Sequence, residues 1–206
     1  IEVDMENNIT VKKPHKSVLK IALHSTYAVI LMTIILGLIY PIVTTGVANL
    51  LFKDKAQGSI MEYEGHFVGS EIIGQNFDNT PYFRSRPSAT DYNAAASSGT
   101  NYGASNPKQA EAIKEREAFW KEHGNPNMKI PADLLTASSS GIDPHISYKA
   151  AIYQIPMVSE NTGISIGDLT KLIDSCTTAN LLGGDGMVNV LKLNIEVDKL
   201  VKQNNK

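Results

Sequence analysis

Residues 21–52 contain no Asp, Glu, Lys or Arg, and this constrains the fold more than any other feature of the chain. The first part of the stretch, Ile21–Tyr40, is almost wholly apolar. A helix of that length measures about 30 Å, which matches the hydrocarbon core of a bilayer. A lone segment in lipid must satisfy its own backbone hydrogen bonds, and a helix does so. The sequence therefore predicts a transmembrane helix.

Two other interpretations of the apolar stretch are a core helix of a soluble protein and a cleaved signal peptide. Helices of soluble proteins rarely stay uncharged over this length. The run is longer than the roughly 7–15 apolar residues of a signal peptide, and no A-x-A cleavage site follows it. Pro41 predicts that the helix kinks or ends there. The small residues Thr44 and Thr45 would let a partner helix approach, although a fraying helix end is the alternative.

Lysines around the apolar stretch predict its orientation. Lys12, Lys13, Lys16 and Lys20 precede it, whereas Lys53 and Lys55 follow it. Positive residues favour the cytoplasmic side, so we expect a single-pass protein of the cell (inner) membrane with its N-terminus inside. We therefore expect three parts: a cytoplasmic basic tail (1–20), a transmembrane helix with a Pro-broken extension (21–52), and an extracytoplasmic domain (53–206).

Hydrophobic periodicity after residue 53 alternates between strand and helix patterns, which predicts a small α+β domain with an antiparallel sheet. A hairpin is expected from Ile60–Tyr63 and Phe67–Gln75. The further predictions are helices over 107–123, 148–160 and 166–177, a helical turn over 131–135, and a strand over 187–190 followed by a helix. Asn106 is expected to cap the first of these helices, and Gly124 to end it in the left-handed conformation. On this helix Trp120, Ile113 and Ala110 should face the core. The opposite, solvated face is expected to carry the charges of Glu111, Lys114, Glu115, Arg116 and Glu117. Cys176 is the single cysteine, predicted to be a small core residue.

The stretch Asn76–Asn106 shows little periodicity and is rich in Ser, Ala, Asn and Gly. Long loops in compact domains are usually functional or disordered. The loop also contains several aromatic residues together with Arg84 and Arg86, and this composition is typical of contact surfaces. A contact surface is the favoured interpretation, and a mobile linker is the alternative.

No motif in the sequence predicts catalysis, a metal site or a phosphate-binding loop. Ser138, Ser139 and Ser140 before Gly141 form a flexible polar loop with no recognisable nucleophile elbow. The histidines show no paired metal-binding spacing, and no glycine-rich phosphate-binding motif occurs. Asp143 and His145 could form an acid–base pair or metal ligands, but the favoured interpretation is a turn before a helix that Ser147 caps. The net charge of −2 gives no reason to expect nucleic acid as a partner.

Several segments together resemble one family, the KdpC small subunits of the Kdp potassium-transporting P-type ATPase complex. They are YPIVTTG (40–46), KAQGS (55–59), GSEIIGQNF (69–77), YFRSRPSAT (82–90), YNAAASSGTN (92–101), SNP (105–107), PADLLTAS (131–138), SGIDPHIS (140–147), QIP (154–156) and VNVLKLN (188–194). The resemblance implies a bacterial or archaeal inner-membrane complex. In it a channel-like subunit selects K⁺, a P-type ATPase subunit hydrolyses ATP, and this subunit is a non-catalytic accessory of high-affinity K⁺ uptake.

The resemblance also implies a possible link to ATP. One proposal for the family is a catalytic chaperone that raises the ATP affinity of the pump through a stretch resembling an ABC signature and ending in Gln. The corresponding stretch here is Ile164–Asp168, with Asp168 in place of that glutamine. Ser165 and Asp168 instead suit the cap of a helix. We therefore predict no catalytic, cofactor-binding or metal-binding residue, and ATP remains an implication of the family only.

The preferred hypothesis is that the chain assembles and gates the complex from the outer face, in contact with the channel-like subunit, the ATPase subunit and the lipid bilayer. The candidate contact residues are Tyr40, Pro41, Thr44, Thr45, Asn76, Phe83, Arg84, Arg86, Ser88, Asn93, Asp143 and His145. The alternatives are a membrane-anchored extracytoplasmic hydrolase and a pilin-like scaffold. An activity assay on ester and peptide substrates would distinguish the hydrolase from a binding module.

Overall fold

The computed structural model describes residues 17–78, 81–103, 105–179 and 184–204. The chain divides into two compact units, residues 1–56 and residues 57–206, and each is described by itself. The predicted basic tail lies largely outside the described residues.

The first unit is helical in its described part except at Ser17 and Phe52. Helix α1 (Val18–Ile34) passes through a π-helical turn (Ile35–Ile39) into α2 (Tyr40–Leu51), and the short α3 (Lys53–Ala56) follows. It holds the one helix among the described residues that is long and apolar enough to cross a membrane, Val18–Leu51, and no part of the helix is buried. Its 34 residues correspond to about 50 Å at about 1.5 Å per residue, which exceeds the bilayer core.

Pro41 does not end this helix, so the expectation that the helix ends there is wrong, whereas the alternative of a kink stays a prediction. Pro41 occupies the first turn of α2, immediately after the π-helical turn. A proline lacks the N–H of the regular helical bond and its ring crowds the preceding turn. The wider π-helical turn changes the bonding pattern at this place, and the helix continues. The helix also begins three residues earlier than Ile21, at Val18.

The second unit opens with the predicted hairpin, formed by β1 (Ile60–Tyr63) and β2 (His66–Ser70) in antiparallel pairing. A bulge shifts the register between Met61 and Glu62. The expected continuation of the second strand to Gln75 is wrong. The strand ends at Ser70, whose hydroxyl donates to the Gly58 carbonyl at 2.6 Å and accepts the N–H of Ile72, so the chain turns away from the sheet.

The main helices of the unit are α4 (Pro107–His123), α5 (Ala132–Leu135), α6 (Tyr148–Thr162), α7 (Ile166–Cys176) and α8 (Val190–Asn204). Three predicted caps are confirmed. Asn106, Ser147 and Ser165 each accept a backbone N–H of the first helical turn.

Gly124 follows α4 in an extended conformation with φ −92°, so the predicted left-handed cap is wrong. The reason for glycine here is space. A Cβ atom at this position would collide with the ring of Tyr153 and crowd the Trp120 carbonyl.

A second antiparallel sheet has the strand order β3-β5-β4, with β3 His145–Ser147, β4 Thr177–Thr178 and β5 Met187–Asn189. The predicted strand near residue 187 is confirmed. The sequence did not predict β3 or β4, because strands of two or three residues are too short to show an alternating pattern. With two antiparallel sheets and packed helices, the α+β class is confirmed.

The core of the second unit lies between α4, α6, α7, α8 and the three-stranded sheet. Its fully buried side chains include Phe83, Leu134, Ile146, Val158, Leu169, Ile173, Val188, Leu193 and Val197. Trp120 faces this core as predicted, but Ala110 on the same helix is exposed, contrary to expectation. Cys176 packs partly buried against the core, as predicted.

Candidate functional site

Two amide side chains fasten the start of the long loop to the helices beneath it. Asn194 in α8 accepts the N–H of Phe83 and donates to its carbonyl, both at 2.9 Å. Gln154 in α6 does the same for Arg84, at 2.8 and 3.2 Å. Both amides are buried, and Phe83 is 0% exposed. These bonds therefore fix the position at which the loop leaves the core.

Two further contacts hold the next part of the loop. Arg86 Nη1 lies 3.1 Å from Asp143 Oδ2 in a half-buried ion pair. The Ser88 hydroxyl donates to the Gly141 carbonyl at 2.6 Å and accepts the N–H groups of Thr90 and Tyr92. These bonds join segments that are more than 50 residues apart in the sequence. They hold this part of the loop in one conformation against the rest of the domain, which favours a contact surface over a mobile linker.

A cavity of about 470 Å³ lies between this loop and α4, and we call it the Arg84 pocket. Its lining residues are Asn76, Asp78, Arg84, Ser85, Pro87, Ser88, Asp91, Tyr92, Glu115, Arg116, Phe119, Trp120 and Leu134.

Two guanidinium groups line the Arg84 pocket. Arg84 lies over the Phe119 ring, with its Cζ 4.2 Å from the ring centroid, and its Nη1 is 3.7 Å from Asp78 Oδ1. Arg84 Nε is buried and has no hydrogen-bond partner among the described residues. Arg116 Nη1 donates to the Leu135 carbonyl at 2.8 Å. Within the part of the chain that the structure describes, neither guanidinium is therefore closely paired with a carboxylate.

Burial shifts the ionisation of the groups lining the pocket. Burial lowers the pKa of Arg84, and the nearby Asp78 partly offsets this. Burial likewise lowers the pKa of Arg116, opposed by Glu115. Burial raises the pKa of Tyr92, with Asp78 adding to the effect. The pKa values of Arg84 and Arg116 are lowered because both guanidinium groups are partly removed from water. Both groups remain charged, since the pKa of a free arginine lies above 12.

The candidate contact residues fall into separate places. Arg84, Ser88 and Asn76 line the pocket, and Arg86 and Asp143 pair beside it. Asn93 is exposed and caps a short 3₁₀ turn, Ala94–Ala96. Phe83 belongs to the core, so its side chain has no surface to offer a partner.

Asp143 and His145 form a turn instead of an acid–base pair. The Asp143 carboxylate accepts the backbone N–H of His145 at 3.0 Å and bonds Arg86 with its other oxygen. His145 then enters β3, and Ser147 caps α6. Within the described residues there is no group of three or more His, Cys, Asp or Glu side chains that could hold a metal ion.

Tyr40, Pro41, Thr44 and Thr45 lie in α2 of the first unit, and their side chains are exposed. The Thr44 hydroxyl donates to the carbonyls of Tyr40 and Pro41, at 2.9 and 3.1 Å. This bond satisfies the hydroxyl within its own helix, which suits an apolar surrounding.

Sequence reasoning missed Arg116 and the two clamping amides. Arg116 was assigned to a solvated helix face together with its charged neighbours, yet it is half-buried beside Leu135. Gln154 and Asn194 are the polar residues within otherwise apolar helical stripes, and that irregularity was the available signal.

Comparisons with a family model and with individual proteins all find similarity to the same family. Residues 22–199 match the family model described as "KdpC: K+-transporting ATPase, c chain". The potassium-transporting ATPase KdpC subunit of Serratia proteamaculans is 48% identical over 184 residues, covering 85% of this chain and 96% of its own. That of Caldanaerobacter subterraneus is 47% identical over 179 residues, covering 84% and 92%. That of Clostridioides difficile is 43% identical over 196 residues, covering 84% and 93%.

Proposed function

The chain belongs to the KdpC family, the c chains of the K⁺-transporting ATPase, and on that premise we propose that it is a non-catalytic accessory subunit of an ATP-driven, high-affinity K⁺-uptake complex. It holds a channel-like subunit and a P-type ATPase subunit together. Family membership and the exposed apolar helix Val18–Leu51 together indicate a membrane protein.

The contact surface that we assign to this role is the loop after Arg84. The observation that supports it is the double amide clamp of Gln154 and Asn194, since the clamp fixes the loop by its base and leaves its outer part exposed. A fixed loop binds a partner at a lower entropic cost than a mobile one. Its arginine and aromatic residues are those that interfaces favour.

An exposed position on this loop offers a test that does not disturb the core. Ala95 is exposed in the 3₁₀ turn, and Ala179 is an equally exposed alanine after β4. We expect Ala95→Arg to lower several-fold the amount of partner subunits and of K⁺-stimulated ATPase that co-purify with a tagged chain from solubilised membranes. Ala179→Arg should leave both unchanged. Equal recovery with both variants would contradict the assignment of this surface.

The orientation that we propose places residues 1–20 in the cytoplasm and the second unit outside the cytoplasm, on the cell membrane. The support is the lysine excess before the helix. In a Cys176→Ala background, Lys171→Cys on exposed α7 should react with an impermeant maleimide in intact cells, and Lys13→Cys should react only after lysis. The reverse pattern would overturn the orientation.

We further propose that this chain influences ATP use only through its partners. Ser165 and Asp168 are engaged in capping α7: Ser165 Oγ accepts the Asp168 N–H at 3.1 Å and donates to its carboxylate at 2.7 Å. An ATP photoaffinity probe should therefore label the ATPase subunit and leave Ile164–Asp168 unlabelled. Labelling of that segment would contradict this part of the proposal.

A further inference from the structure

We infer that the Arg84 pocket is a carboxylate-binding site, and that in the assembled complex an acidic side chain of a partner subunit occupies it. The identity of the occupant rests on the proposed function, whereas the binding chemistry of the pocket is independent of it. The inference begins from the two guanidinium groups that line one cavity of about 470 Å³.

Neither guanidinium group has a close anionic partner among the described residues. The ion pair of Arg84 with Asp78 is 3.7 Å long, beyond the 2.7–2.9 Å typical of a charged hydrogen bond, and Arg84 Nε is buried without a partner among the described residues. The bond that Arg116 makes goes to the neutral carbonyl of Leu135. A shielded cation that is not closely paired gains more from an incoming anion than a solvated one does.

The shape and polarity of the pocket favour a carboxylate on an organic stem. Guanidinium groups bind planar carboxylates through parallel N–H donors. Phe119 and Trp120 provide an aromatic wall on which a methylene or ring stem can pack. The Arg84 guanidinium already lies over the Phe119 ring, and this cation–π contact holds it in place.

The rim of the pocket selects the charge of the ligand. Asp78, Asp91 and Glu115 line the cavity but are exposed, so water screens them more than it screens the arginines. They offset part of the positive potential of the two arginines, so a second negative charge on a ligand gains little, whereas a planar carboxylate still fits the parallel N–H donors of a guanidinium. We therefore assign an aspartate or glutamate side chain, rather than a phosphate group, as the occupant.

The single tryptophan of the chain makes the pocket directly observable, because Trp120 is part of its lining. The probe is benzoate, added to the purified full-length chain in detergent while Trp120 fluorescence is followed. We expect a saturable change with benzoate and none with benzamide, its neutral analogue. An equal response to benzamide would overturn the inference.

Variants test the named groups in both directions. Arg84→Gln and Arg116→Gln should each weaken benzoate binding by about tenfold or more, since each removes a charged hydrogen-bond donor. Asp78→Asn should tighten binding, because it removes the rim carboxylate nearest Arg84. Lys171→Gln, an exposed change on α7, is the control and should have no effect.

The fold of each variant is checked by its Trp120 emission without probe. Should Arg84→Gln fail this check, Arg84→Lys and Asp78→Asn keep the test decisive. Unchanged binding in the arginine variants, or weaker binding in Asp78→Asn, would overturn the assignment.

The occupant is tested in the complex itself. Phenylglyoxal modification, read by peptide mass spectrometry, should reach Arg84 and Arg116 in the separated chain and be prevented in the delipidated, assembled complex. Equal modification in both would reject a partner side chain as the occupant while leaving the benzoate result intact. Failure of the proposed function would be seen differently, as the absence of co-purifying subunits.

Discussion

Asn194 is the residue on which the position of the long loop most depends. Its side chain satisfies both backbone groups of the buried Phe83, so Asn194→Ala leaves an N–H and a carbonyl without partners in the core. We expect a loss of about 2–4 kcal/mol in the free energy of unfolding. Urea unfolding of the full-length chain in detergent, followed by Trp120 fluorescence, measures it. Gln203→Ala, exposed on the same helix, should change it by less than about 0.5 kcal/mol.

Gly124 and Gly167 form a matched pair of glycines with opposite expected effects. Gly124→Ala should destabilise by about 1–3 kcal/mol, because the new methyl group meets the Tyr153 ring and the Trp120 carbonyl. Gly167→Ala should be neutral or stabilise by up to about 1 kcal/mol, since it lies in the first turn of α7 with its nearest neighbour 3.9 Å away. Comparable losses from both would show that close packing is not the reason for glycine at position 124. The same urea titration serves both variants.

At the scale of elements, the hairpin is held to α8 by a group of side chains around Asp198. Tyr63 and Tyr82 both donate to its carboxylate, and Lys202 pairs with it and with Glu64. Burial opposes ionisation of Asp198, but the bonds from Lys202 and the two tyrosines lower its pKa below the usual value. Burial, together with the bond to Asp198, raises the pKa of Tyr82 to about 12.

These shifts predict how the stability of the hairpin depends on pH. The contribution of Asp198 is present above its unfolded pKa of about 3.9 and is lost as the pH falls through the lower folded value. The contribution of Tyr82 is present below its unfolded pKa of about 10 and is lost as the pH rises towards about 12. Tyr82→Phe should therefore reduce the alkaline loss of stability, and Asp198→Asn the acidic loss, in unfolding measured across pH. Tyr102→Phe, a change at an exposed tyrosine, should leave the acidic and the alkaline loss of stability unchanged. A smaller loss of stability in that variant would contradict the role of the Asp198 group.

Elements were predictable in proportion to their length and the clarity of their ends. Helices α4, α6 and α7 carry Asn106, Ser147 and Ser165 as caps, and each begins where those residues indicate. The strands β3 and β4 have no such signal, because they exist only by pairing with β5. Pro41 carried a local signal for a helix end, but the helix continues through it directly after the π-helical turn.

At the scale of the whole molecule, the buried core lies entirely within residues 57–206. We therefore expect a protein of residues 57–206 alone to fold and to unfold cooperatively in urea, with Trp120 reporting the transition. Its midpoint should match that of the full-length chain in detergent. A broad transition without cooperativity would show that this part needs the apolar helix or the complex to fold.

The presence of a helix long and apolar enough to cross a membrane, the α+β class, the helix starts and the family resemblance all follow from local features of the sequence. Each depends on residues that are neighbours along the chain: an uncharged run, a cap before a helix, an alternating strand or a motif. The Arg84 pocket, the amide clamp and the three-stranded sheet do not. They join Phe83 to Asn194, Arg86 to Asp143 and β3 to β5, and nothing in the local sequence states which distant groups will meet. Only the packing of the folded chain decides which polar groups lose water, and therefore which arginines are left shielded without a close carboxylate.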